Sequence, residues 1–164
     1  MMSILELCTW LQNTQFGTAV RESTLAFPVL EGTHLLGLTF MLGPTFAFDL
    51  RLSGLAWRDQ PVSKIYKSFL PLTNAGAALM VITGIILFWS EPVKCYNSTY
   101  FRLKVIALIV ASLNAGIFHF GYFKTVATWD VIGSPPTRAR MAGYASIVLW
   151  LFVVLAGRYT AYNL

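Results

Sequence analysis

Three ionisable side chains stand out because of where they sit. Glu31 and His34 fall three residues apart inside the apolar stretch 25–48. On a helix they share one face, continued by Gly37, Leu38 and Met41. His119 lies late in a second apolar stretch, 105–123. Charge is costly inside a membrane, so each group is a functional candidate. Glu-x-x-His is the helix motif of di-iron bundles, but those sites need a second such motif and further carboxylates, which the apolar stretches lack. Zinc would need both histidines and the glutamate to meet. Haem asks for less: one or two axial ligands, an apolar slot and cations for its propionates.

The parts of a haem site can be found around His34. Met80 falls at about the same depth in a neighbouring apolar stretch and is a weak second ligand. Gly76, Met80 and Gly84 share a helix face, and the glycines would leave room for a flat macrocycle. Lys104 and Arg158 lie one to two turns outward, at a height suited to propionates. Glu31 would orient His34 or carry a proton. His119 is offset from His34 by about 13 Å along the membrane normal, which argues against one bis-histidine haem. It would instead hold a second haem near the cytoplasmic face, with Lys124 and Arg140 nearby.

Plainer readings stand beside these. Glu31 and His34 could bond to each other or to a neighbouring helix. The glycines are also what close helix packing in membranes uses. Met80 and Met41 fit a core, His119 fits a headgroup contact, and Asn74 and Asn114 fit interhelical bonds.

These residues need elements to position them, and composition says which. The 164 residues are 56% hydrophobic and 12% charged, with a mean hydropathy of +0.62. A soluble domain carries about 25% charge. So little polar surface cannot cover a globule, and an integral membrane protein is what remains. Four stretches are long and apolar enough to span: 25–48, 69–90, 105–123 and 141–157. Their backbones must be helical there, because a lone strand would leave its polar groups unpaired. Aromatic residues flank them, as interfacial belts require. The fold class is therefore an all-α, four-helix membrane bundle in one domain.

Orientation follows from the basic residues. Arg51, Arg58, Lys64, Lys67, Lys124, Arg138 and Arg140 fall in the first and third links, against Arg21, Lys94, Arg102, Lys104 and Arg158 on the other face. The positive-inside rule puts the links in the cytoplasm and both termini in the periplasm. The net charge of +5 suits anionic membrane lipid and calls for no nucleic-acid partner. Residues 1–20 lack the basic n-region of a signal peptide. Ser3 to Glu6 reads as a capping box, followed by a surface helix with Ile4, Leu7, Cys8 and Leu11 on one face. Cys8 and Cys95 then share an oxidising compartment, where they either bridge or stay free. Turn chemistry marks the links at Pro61, Glu91-Pro92 and 133–136.

The runs Phe27 to Gly37 and Asp49 to Leu52, with Leu103 to Ala115, resemble small four-span bacterial inner-membrane proteins of unassigned function. More distantly the pattern is similar to membrane proteins of the CopD and HemJ kinds. That resemblance implies His34 as a haem ligand and Lys104 as its polar partner. The resulting expectation is a haem-b-binding inner-membrane protein that passes electrons between periplasmic redox partners and the quinone pool. Other membrane or periplasmic redox subunits, a homo-oligomer and quinone are the partners it would meet. The alternative class is a non-catalytic structural or assembly subunit of a larger membrane complex. A third is a narrow path for a proton or small solute along Glu31, His34 and Asn114.

Overall fold

The computed structural model describes residues 3–130 and 135–162, with side chains through Thr160. The turn expected at Gly133-Ser134 lies outside the described residues. Every element among the described residues is helical.

The chain opens with α1 (Ile4–Gln12) and α2 (Gln15–Glu22). The capping box forms: the Ser3 hydroxyl accepts from the Glu6 amide at 3.1 Å, and the Glu6 carboxylate accepts from the Ser3 amide at 2.8 Å. One surface helix over 1–20 is expected from the sequence, but there are two. Thr14 stops the first and caps the second, its hydroxyl accepting from the Gly17 amide. Threonine suits a cap better than a helix interior, where it competes with the backbone.

Four long helices follow: α3 (Ala26–Leu52), α4 (Val62–Ser90), α6 (Thr99–Phe120) and α8 (Thr137–Tyr162). Each is long and apolar enough to cross a membrane. Short α5 (Pro92–Asn97) joins α4 to α6. A 3₁₀ turn (Tyr122–Thr125) and α7 (Val126–Trp129) continue from α6. The helices overrun the apolar stretches, most clearly at α4, which starts at Val62 rather than at 69. Hydropathy marks the part that fits hydrocarbon, whereas backbone hydrogen bonding carries the helix on into polar turns.

The bundle is arranged as two pairs. Helix α3 packs on α4 and α8, and α8 packs on α6. The α3–α4 approach is close because of Gly76. A Cβ there would sit 2.5 Å from the Met41 amide nitrogen and 2.7 Å from the Phe40 carbonyl carbon. Gly76 therefore sets helix spacing and clears no room for a macrocycle.

The two ends of the bundle are built differently. At one end α1 packs on α5, and α2 on α3 and α4. Arg21 ties these together by donating to Gln12 O at 3.0 Å and Ser90 O at 3.3 Å. The Trp89 indole donates to the Thr14 hydroxyl at 3.0 Å. At the opposite end, the link end, Leu52, Val62, Phe118 and Ala139 form a small buried core. Arg51 is fully buried there, and its Nε donates to Gln60 O at 2.6 Å. The Ser63 amide donates to the Asp130 carboxylate at 3.1 Å, joining the first link to the third.

Candidate functional site

Between the α3–α4 wall and the α6–α8 wall lies a cavity of about 980 Å³. It reaches from Phe27 and Lys104 near the α1–α5 end to Tyr66 and His119 near the link end. Ligand pockets commonly hold about 300–1,000 Å³ and are mostly apolar with a few convergent polar groups. This cavity fits that description. His34, Lys104, Glu31, Met80 and His119 all line it. Arg158 does not: it is exposed on α8, while its neighbour Gly157 faces the cavity. Arg158 stands outside the lining, so the propionate role expected of it draws no support from this cavity.

His34 is held by α4. Its Nδ1 lies 2.8 Å from the Thr83 hydroxyl, and that hydroxyl lies 2.6 Å from Leu79 O. Two oxygens at 2.6 Å need a proton between them, so Thr83 donates to Leu79. Its oxygen then accepts from His34, which places the imidazole proton on Nδ1. Nε2 is left as the lone-pair nitrogen, and no described residue bonds to it. Gly84 makes this seating possible: a Cβ there would stand 3.3 Å from His34 Cε1. Gly84 therefore clears room for the imidazole and not for a cofactor. Glu31 is exposed on α3 and makes no hydrogen bond or ion pair among the described residues. The expectation that Glu31 orients His34 gives way to Thr83, which comes from the facing helix.

Lys104 comes from α6 and lies over Gly157 of α8. A Cβ at Gly157 would be 3.7 Å from both Cε and Nζ of Lys104. The small residue leaves a groove for the lysine stem. No hydrogen bond or ion pair holds the ammonium among the described residues, and its field reaches His34. Met80 lines the cavity from α4, the helix that also carries Thr83. It thus stands on the same wall as His34, not across from it.

At the link end the His119 Nε2 lies 2.7 Å from the Tyr66 hydroxyl. Its ring stacks on Phe123, with centroids 5.1 Å apart and planes 8° apart. One nitrogen and one face are thus engaged by protein. With Nε2 engaged by Tyr66, the second haem expected at His119 would have Nδ1 as its ligating nitrogen. Asn114 donates to Ala142 O at 3.1 Å and so joins α6 to α8, as interhelical bonding predicts.

Sequence reasoning passed over Thr83 and Asp49. Thr83 is buried, and its only signal is a hydroxyl one turn from Met80 in an uncharged span. Asp49 is 4% exposed, bonds Ser146 of α8, and its Oδ2 has no partner among the described residues. Its place at the end of an apolar run made it read as a link residue. No group of three or more His, Cys, Asp or Glu side chains gathers for a metal among the described residues.

Cys8 and Cys95 sit on the packed pair α1 and α5, and both are free thiols. Burial, with the Glu91 charge adding to it, pushes the Cys95 thiol up to about 11.

No family model, curated protein or solved structure matches this chain.

Proposed function

We propose that this chain is a haem-b-binding membrane protein that carries electrons between periplasmic redox partners and the quinone pool. His34 would hold its iron, and Lys104 would pair with a propionate. The observation that carries this is the His34–Thr83–Leu79 chain of hydrogen bonds. Metal-bound histidines usually donate their second nitrogen to a neighbour, which fixes tautomer and ring orientation. Here that arrangement exists in the protein itself and leaves Nε2 toward an apolar cavity of about 980 Å³.

The rest of the cavity suits the group. Its walls are mainly aliphatic and aromatic, which would exclude water from a macrocycle. Lys104 supplies one cation near the rim. When bound, haem would supply a one-electron couple at this depth. Met80 stands on the wall of His34, so the protein offers one strong ligand rather than two. Both termini facing the periplasm would place Lys104 on the periplasmic side. The test is an absorbance spectrum of the purified wild type and His34→Ala: a Soret band in the first and its loss in the second support the reading.

A further inference from the structure

Helices α4 and α6 are held together through side chains near both ends of the cavity. Near the α1–α5 end Phe88 stacks on Phe101, with centroids 5.8 Å apart. Near the link end Tyr66 bonds His119 at 2.7 Å. Between these levels the cavity reaches the outer surface. Val81 and Ile85 of α4 line it, yet are 61% and 57% exposed. Helices α4 and α6 barely pack on one another, unlike the other neighbouring long helices, so the wall opens at this seam. All of these residues lie within candidate membrane spans, so in a bilayer the opening faces acyl chains rather than water.

Inside stands an ammonium without a counter-ion. Lys104 lies over Gly157 and makes no ion pair among the described residues. Lys94, which also lines the cavity, is already 3.6 Å from the Glu91 carboxylate. A charge held in apolar surroundings is costly unless paired. Among the described residues the charged groups lining this void of about 980 Å³ are Lys104, the paired Lys94 and Glu91, the buried Asp49 and the exposed Glu31; Lys104, half-buried against apolar walls, is the group that a negative head on an apolar body would complement.

We propose that the cavity takes a lipid-soluble carboxylate from the bilayer, through the side opening between α4 and α6, with its head on Lys104. A fatty acid and the propionate edge of a haem share this chemistry. The proposal extends the functional reading above, because it uses the same cavity. It stands on Lys104 and the opening, however, and not on His34.

The experiment uses haem-free protein in nanodiscs and stearic acid carrying a mid-chain nitroxide. Trp150 lines the cavity and supplies the saturable part of the quenching, above the linear part that probe dissolved in the bilayer gives the other four tryptophans. The acid is expected to quench saturably, and its methyl ester to bind at least about tenfold more weakly, because a charge-assisted contact is worth about 1.5–3 kcal/mol. Lys104→Met should weaken the acid to the level of the ester, and Lys104→Arg should preserve it. Equal saturable quenching by acid and ester in the wild type, which needs no variant to fold, overturns the proposal. Unlabelled stearate and haem, added as competitors, separate the two sources of carboxylate. A protein that never turns red but still prefers acid to ester ends the haem reading alone. A red protein whose haem-free form shows no preference ends this proposal alone.

Discussion

His34 is oriented by the hydroxyl of Thr83 on the facing helix, at 2.8 Å, and not by Glu31 on its own helix. A threonine in a membrane helix usually bonds back to its own i−4 carbonyl, as Thr83 does to Leu79. That habit makes it an acceptor toward a neighbour, and the neighbour's proton is thereby fixed.

Removing that acceptor should loosen the ring without removing it. Thr83→Val keeps shape and loses the bond, whereas Thr83→Ser keeps the hydroxyl and loses only a methyl. Supporting groups of this kind are worth roughly 10–100-fold in metal-site affinity. Haem retention through a desalting column should fall for the valine variant and hold for the serine variant. Equal retention would separate Thr83 from the ligand.

Gly76 should be intolerant, because the atoms facing it are backbone. Gly76→Ala places a methyl 2.5 Å from the Met41 amide, so α3 and α4 must part. A cost of about 1–3 kcal/mol is expected, as for other overpacked sites. Gly43→Ala is the control, since nothing lies within 4 Å of its added Cβ. Thermal unfolding in detergent should show a lowered Tm for the first and little change for the second.

Cys95 should be a sluggish thiol in reduced protein. With its pKa raised to about 11, alkylation at pH 8 should run roughly a hundredfold slower than for a free cysteine and speed up toward pH 11. The sign for stability follows. The unfolded thiol ionises at lower pH than the folded one, so stability falls as pH rises from about 9 to 11. Cys95→Ser should flatten that part of the profile. Oxidation is a separate outcome: peptide mapping without reduction tells a Cys8–Cys95 link, which needs the termini in the periplasm, from the two free thiols of the structure. Alkylation of both thiols before any reduction would rule the link out.

Orientation is open to labelling of intact cells. In a background lacking Cys8 and Cys95, Lys64→Cys should react with an impermeant maleimide only after permeabilisation. Ready labelling from outside would reverse the topology and move Lys104 to the cytoplasmic side.

The spans were legible because hydrocarbon imposes one demand on every residue in turn, and local composition records it. The capping box at Ser3 and Glu6 was legible for the same reason: both partners lie within one turn. The site was legible only as a set of single residues. His34 and Lys104 could be named from type and depth, but Thr83 is an ordinary hydroxyl until α4 is docked on α3. Arg158 and Gly157 are adjacent in sequence, and only the rotation of α8 decides which one faces inward. Gly76 and Gly84 looked alike on a helix face, yet one meets backbone and the other an imidazole. Contacts between helices carry no local signal, and the roles that depend on them are the ones that needed correction.

The central claim is that His34 presents a free Nε2 to a haem in this cavity. The direct measurement is the absorbance spectrum of the full chain, purified from haem-replete cells, oxidised and then reduced with dithionite. The account expects a Soret band and reduced α and β bands in the wild type, their loss in His34→Ala, and an unaltered ligand field with weaker retention in Lys104→Ala. A folded wild type that is colourless, or a His34→Ala variant with an unchanged spectrum, would contradict it.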